Sequence, residues 1–273
     1  MTIASTDMTA RFRALHVPGT PLLMPNPYDE GTAKVLATLG FAALATTSSG
    51  FAATVGAADG GVDAADVLRH AAAIAACVDV PVSADLEDGY GDDPETVAAT
   101  VSEAVAAGLA GCSIEDYSPA LEPGIHDIGR AAERVAAAAE AAREGHGLVL
   151  TARAENHIRG NPDLADTIAR LQAYQEAGAD VLYAPGLVDL ADVRSVVSSV
   201  DRPVNVLLLP GMAPVAELAE AGVARISVGG AFSGIAFAAV ARAARELLEQ
   251  GTTGFLDLAG EARELTTRAF RRY

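Results

Sequence analysis

Ala177-Gly178-Ala179 ends a helical stretch at a glycine and leads directly into the apolar run 180–184. The same junction recurs at Leu39-Gly40-Phe41, Ala107-Gly108-Leu109 and Ala221-Gly222-Val223, each with glycine where a helix terminus needs a left-handed residue. Pro81 and Pro203 occupy two further junctions. Outward from these points, apolar runs at 21–25, 41–47, 81–86, 111–115, 147–153, 180–184, 203–208 and 224–228 read as strands. Helical stretches follow them at 28–39, 63–77, 94–107, 127–144, 162–177, 189–198, 213–221 and 232–249. Strands alternating with helices form parallel βαβ units, and eight units in about 250 residues predict an α/β fold, a single (β/α)8 TIM barrel. The alternative is an open doubly wound sheet, which carries a glycine-rich loop after its first strand; here that position reads Met24-Pro25-Asn26-Pro27-Tyr28. Residues 1–273 are expected to form one barrel domain, with 250–273 a C-terminal helical extension carrying Phe255, Leu256, Leu258 and Leu265 on an apolar face.

The formal charge of -17 and pI near 4.5 argue against nucleic-acid and anionic membrane partners, which need a basic footprint. A small-molecule ligand is expected instead. No run of 18 apolar residues and no basic-then-apolar leader pattern is present, so a cytoplasmic location is expected. The two cysteines, Cys77 and Cys112, have no metal-ligand spacing and read as core thiols. The single lysine, Lys34, falls within the first helical stretch, away from the strand ends where a Schiff-base lysine would sit.

A barrel of this kind places its chemistry at the carboxyl ends of the strands. Strand three ends in Asp85-Leu86-Glu87-Asp88-Gly89-Tyr90-Gly91. Alternation along a strand points Asp85 and Glu87 the same way, and two carboxylates on one spot suit a hard divalent cation such as magnesium. The competing reading is a solvated turn. Strand four ends in Glu115-Asp116, strand five in Arg153-Ala154-Glu155, strand six in Tyr183 and strand seven in Asn205, a substrate-binding candidate. Ser83, Ser113 and Thr151, two residues before the terminal charges, are expected to line the barrel beneath them. Arg153 together with a cation would neutralise a carboxylate or phosphonate; its alternative role is a structural ion pair at the rim.

In combination, Ser48-Ser49-Gly50-Phe51, Asp85 to Gly91, Ile114-Glu115-Asp116 and Thr151-Ala152-Arg153-Ala154-Glu155 resemble the isocitrate lyase and phosphoenolpyruvate mutase superfamily, from about Met24 to Gln250. The resemblance implies a barrel whose last helix is exchanged between subunits, a homo-oligomer built as a dimer of dimers, and a divalent ion holding an enolate-like 2-oxo acid. Magnesium is the implied cofactor, with manganese as its substitute. Carried over by position, Asp85 is implied as principal metal ligand, with Glu87, Glu115 and Asp59 as further metal contacts. Ser49, Gly50 and Phe51 are implied to receive the substrate carboxylate, and Arg153 to clamp its oxygens.

The departure lies in the loop Tyr117-Ser118-Pro119-Ala120-Leu121-Glu122-Pro123-Gly124-Ile125-His126. It has neither the cysteine of the family's isocitrate and methylisocitrate lyases nor the lysine and asparagine of its mutases. His126 is the one group there that titrates near neutrality, a candidate proton carrier against the alternative of a histidine at a helix start. The reading is a magnesium-dependent lyase-type enzyme cleaving a carbon-carbon bond of a small 2-oxo or 2-hydroxy carboxylic acid through a metal-stabilised enolate. Its alternatives are a phosphoenolpyruvate mutase or phosphonopyruvate hydrolase, and a non-catalytic 2-oxo acid binding protein.

Overall fold

In the computed structural model, which describes residues 3–119, 121, 122 and 124–273, eight parallel strands follow one another around a nearly closed barrel. They are β1 (Leu22–Met24), β2 (Leu44–Ala45), β3 (Val82–Asp85), β4 (Gly111–Glu115), β5 (Val149–Arg153), β6 (Val181–Tyr183), β7 (Val204–Leu207) and β8 (Arg225–Ser227). Every predicted strand is present; β4 keeps its predicted bounds and the others are shorter. β1 pairs with β8, and the Ala45 amide, donating to the Pro25 carbonyl at 3.1 Å, draws β2 towards β1. Asn26 completes this seam. Its Nδ2 donates to the Thr46 carbonyl at 3.0 Å, while its Oδ1 accepts from the amides of Val228 and Gly229 at 3.0 and 2.9 Å.

The helices are α1 (Ile3–Ala14), α2 (Glu30–Leu39), α3 (Ser48–Thr54), α4 (Ala64–Ala76), α5 (Pro94–Ala106), α6 (Ile128–Glu144), α7 (Leu164–Ala177), α8 (Leu190–Ser199), α9 (Val215–Glu220), α10 (Ala231–Gln250) and α11 (Phe255–Arg272). Asp29, Asp63, Asp93, Asp127, Asp163 and Asp189 cap six of them, each carboxylate accepting from amides of the first turn that lack helical partners. At the other ends, Gly40, Gly108, Gly178 and Gly222 all have φ between 78° and 109°. That is the left-handed conformation the recurring sequence junction requires.

Two elements depart from the sequence reading. α1 was not expected, although Met8, Phe12 and Leu15 follow helical spacing. Its Phe12, fully buried, packs with Leu22, Met24, Ala110, Val149 and Val181 at the amino end of the barrel. Gly111 makes room for it: a Cβ there would lie 2.6 Å from the Phe12 ring. The second is α3, which turns Ser48 to Thr54 into a helix directly after β2, with Thr47 as its cap.

His16, just after α1, is buried, and its Nδ1 donates to the Phe12 carbonyl at 2.8 Å. Its Nε2 then accepts from Arg225 Nη1 at 3.1 Å, so the ring must be neutral. Burial, reinforced by the adjacent Arg225 charge, pushes its pKa down to about 3. The unfolded chain therefore binds a proton near the ordinary value of about 6.5 that the folded chain refuses until about pH 3. Stability is expected to fall as pH drops through that window, with His16 contributing at most about 1.4 kcal/mol per pH unit. Urea unfolding from pH 7 to 4 checks this: His16→Gln should flatten the slope, and an unchanged slope would assign the acid sensitivity elsewhere.

Candidate active site

The carboxyl ends of the strands surround a cavity of about 250 Å³ whose wall includes Ser49, Asp59, Asp85, Arg153, Tyr183 and Asn205. Strand register assembles it. Asp85 lies beside Ser113, Glu115 beside Arg153, Arg153 beside Tyr183, and Tyr183 beside Asn205. Ser83 and Ser113 line the cavity as expected, and small side chains in a barrel interior leave this space unfilled.

Arg153 is the hub. Nη1 reaches Asp85 Oδ1 at 2.9 Å, and Nη2 reaches Glu115 Oε2 at 3.1 Å and Glu155 Oε1 at 2.8 Å, with Nε donating to Glu155 Oε1 at 3.0 Å. Burial alone would lower its pKa, but Glu115, Glu155 and Asp85 reverse that and hold the guanidinium charged. Burial pushes the Glu115 carboxyl well above its usual range against the pull of Arg153. Asp85 is further fixed by the Ser48 amide, which donates to Oδ2 at 3.1 Å, and by the Ser113 hydroxyl at 3.3 Å from Oδ1. Its own amide donates to Thr46 Oγ1 at 2.9 Å, so three neighbouring segments set its direction.

Glu87 is positioned differently from the sequence expectation. β3 stops at Asp85, and Glu87 has φ +49°, so strand alternation no longer governs its direction. Tyr90, at φ +61°, is in the same unusual region, which costs a non-glycine residue about 1 kcal/mol or more. Buried Arg134 of α6 clamps this turn. Its guanidinium donates to the carbonyls of Asp88, of Gly91 at 2.9 Å and of Glu115 at 3.2 Å. Sequence reading passed over Arg134 because it sits within an alanine-rich helix. The Glu87 carboxyl is pushed up to about 7, chiefly by burial and then by Asp85, Asp59 and Asp88, with Arg153 opposing.

The other candidates fall into two groups. Ser49 lines the cavity, its Oγ 3.2 Å from Thr47 Oγ1. Gly50 is buried where α3 meets α10; a Cβ there would lie 2.5 Å from Thr47 Cγ2. Gly230, likewise, admits Ser49, whose Oγ would sit 2.7 Å from an added Cβ. Phe51 points its ring away, stacked on His70 at 3.8 Å. The structure does not bring His126 to the cavity either. The loop folds back through the Tyr117–Ile125 bridge, the His126 amide donates to the Asp116 carbonyl at 2.9 Å, and the buried ring faces Asp92 at 3.7 Å. Burial, with Arg134, lowers its pKa. Ala120 and Pro123 of that loop lie outside the described residues.

Asp116, adjacent to Glu115, has a supporting task. It accepts from the Glu155 amide at 2.8 Å, from Arg170 at 3.0 Å and from the Tyr174 hydroxyl at 2.5 Å, tying β4 and β5 to α7. Neither cysteine approaches the cavity wall: Cys112 is buried in β4, and Cys77 caps α4.

The acidic cluster has donor chemistry suited to a divalent ion. Glu87, pressed by three acidic neighbours, marks a local excess of carboxylate that a hard cation would relieve. Among the described residues no group of three or more acidic, histidine or cysteine side chains is arranged to hold a metal ion. Magnesium does not require one, since it takes one or two carboxylates and keeps water in its remaining positions. Asp85 and Glu87 fit that demand.

Residues 12–248 match the family model described as phosphoenolpyruvate phosphomutase. The chain belongs to this family. A Mycobacterium tuberculosis protein described as uncharacterized is 33% identical over 235 residues, covering 86% of this chain and 87% of that one. A Burkholderia cenocepacia J2315 crystal structure, provisionally described as a lyase/mutase, matches with TM-score 0.94 and 46% identity over 98% of this chain and 97% of that one. The structure of 2,3-dimethylmalate lyase, described as a PEP mutase/isocitrate lyase superfamily member, matches with TM-score 0.81 and 30% identity over 93% and 90%. Lyases and mutases thus surround this phosphoenolpyruvate phosphomutase family member, and the chain is an enzyme of the superfamily. Among its described residues no helix is long and apolar enough to cross a membrane.

Proposed function

We propose that the protein is a magnesium-dependent lyase-type enzyme that cleaves a carbon-carbon bond of a small 2-oxo or 2-hydroxy carboxylic acid through an enolate. The observation that carries this reading is the joining of Asp85 and Arg153 at the mouth of a small polar cavity. A space of about 250 Å³ suits a small acid rather than a nucleotide. Magnesium, held by Asp85 and Glu87 with Glu115 and Asp59 behind them, would supply Lewis-acid charge beside the substrate oxygens. Ser49 would receive the carboxylate, and Asn205 would orient it. Arg153, released from part of its acid cluster, would meet charge developing on the enolate oxygen, a preorganised electrostatic contribution. Carbon-phosphorus chemistry on phosphonopyruvate is the second reading, favoured by the family match.

Product analysis with magnesium and a panel of 2-hydroxy and 2-oxo diacids tests the first reading. Isocitrate and 2-methylisocitrate are expected to give near-background turnover, because neither cysteine reaches the cavity wall and lost general acid catalysis is worth about 100-fold to 10,000-fold. Robust glyoxylate release from isocitrate, or pyruvate release from 2-methylisocitrate, would show that another proton donor has taken the cysteine's place.

The same reading makes the protein a homo-oligomer that exchanges a helix. Only Ser233 of the twenty residues of α10 is buried, leaving Ile235, Phe237, Val240, Leu247 and Leu248 exposed. An apolar groove along β1, lined by Val17, Leu23, Leu39 and Phe41, offers a complementary surface on a second copy. α11, by contrast, packs on α2 of its own chain and is tied to Asp79 by Arg272 at 3.1 Å and Tyr273 at 2.6 Å. Exposed apolar area of this extent marks an interface. Val240→Asp with Leu248→Asp is expected to yield monomers by sedimentation; an unchanged assembly would remove α10 from the interface.

A further inference from the structure

Three arginines line the cavity among the described residues, and two of them are neutralised. Arg153 contacts Asp85, Glu115 and Glu155. Arg159 contacts Glu115 at 3.5 Å and Glu155 at 3.4 Å, and lies over the Tyr117 ring at 3.5 Å. Arg225, in the middle of the barrel and 2% exposed, has only neutral partners. Nε donates to Asn205 Oδ1 at 3.0 Å, Nη2 to Thr151 Oγ1 at 3.0 Å, and Nη1 to the neutral His16 ring at 3.1 Å. Each of its three nitrogens has a hydrogen-bond partner, but none of those partners is a carboxylate. Burial accordingly pushes its pKa down to about 9.

A buried cation without a counter-charge is costly. An anion entering the cavity that Arg225 lines would repay it. Arg225 also fixes Asn205: with Oδ1 committed to the guanidinium and Nδ2 donating to Ser227 Oγ at 3.0 Å, the carboxamide has one orientation. We propose that Arg225 is the counter-charge and positioning residue of the cavity floor, selecting ligands that carry two negative charges and holding Asn205 to meet them. The proposal rests on the functional reading above, and supplies the site with a charge requirement that reading lacks.

Calorimetric titration with oxalate, a dianion, and oxamate, its monoanionic isostere, tests it in the presence of magnesium. Arg225→Met takes the donor from Asn205 Oδ1, Thr151 Oγ1 and His16 Nε2, so its thermal unfolding is recorded beside its binding. It should bind oxalate at least ten-fold more weakly and lose distinctly less affinity for oxamate. Arg225→Lys, which keeps the charge, should retain most of the oxalate affinity that Arg225→Gln loses; this pair decides the matter if the methionine variant does not fold. Full oxalate affinity in a neutral variant, or equal losses for the two ligands, would overturn the assignment. A wild-type protein that binds neither ligand would overturn the functional reading itself and this proposal with it.

Discussion

Arg153→Met is expected to cost about 3 to 5 kcal/mol of folding stability and to abolish turnover, because it takes the shared cation from Asp85, Glu115 and Glu155 and leaves Arg159, at 3.5 and 3.4 Å, beside the last two. Glu155 is 1% exposed and Glu115 7%, so neither can turn to water once the guanidinium is gone. The Glu115 carboxyl, already raised by burial, would rise further, and a double variant with Glu155→Gln should recover part of the stability without recovering activity. Arg153→Lys separates charge from geometry. Lysine keeps the cation but cannot bridge Asp85, Glu115 and Glu155 with a planar fork. A loss on the order of 2 kcal/mol in transition-state stabilisation is expected. Urea unfolding and steady-state kinetics read the two effects. Near wild-type turnover in a stably folded lysine variant would reduce Arg153 to a structural ion pair.

The second large effect is at Asp85. Asp85→Ala is expected to remove measurable magnesium binding while leaving the fold intact, because Arg153 keeps Glu115 and Glu155, and β3 owes its packing to Val82 and Ala84. Its loss also leaves the Ser48 amide without its acceptor, so α3 should loosen locally. Calorimetry with magnesium, paired with thermal unfolding, checks both parts. Unchanged affinity would exclude Asp85 as a ligand and move the cation elsewhere in the acidic cluster.

The strands and their order were legible because the glycine junctions at Gly40, Gly108, Gly178 and Gly222 are local chemistry: a left-handed residue is needed there whatever surrounds it. Asp85, Glu115, Arg153 and Asn205 were legible for a related reason, since a parallel barrel carries its strand ends to one rim. What escaped the sequence depends on contacts between distant segments. Glu87 was assigned its direction by alternation, but the left-handed turn held by Arg134, 47 positions along the chain, re-aims it. Arg225 opens β8, at the amino end of the strand rather than the carboxyl end, so position alone gave it no role; only its neutral partners among the described residues, seen in three dimensions, do. His126 drew notice for its pKa class, yet the bridge between Tyr117 and Ile125 turns it towards Asp92. Phe51 belongs to a substrate-binding segment by position, but its ring is committed to His70.

The claim on which the rest depends is that magnesium and this acid-and-arginine cluster make and break a carbon-carbon bond beside a 2-oxo or 2-hydroxy carboxylate. Product identification by proton and phosphorus NMR tests it directly, with wild-type protein, magnesium, and a mixed panel of 2-hydroxy diacids, 2-oxo diacids and phosphonopyruvate. The account predicts that one diacid divides into two smaller carbonyl or carboxylate fragments, that chelation of magnesium stops the reaction, and that phosphonopyruvate is left intact. Release of phosphate or formation of phosphoenolpyruvate from phosphonopyruvate, with every diacid untouched, would contradict it.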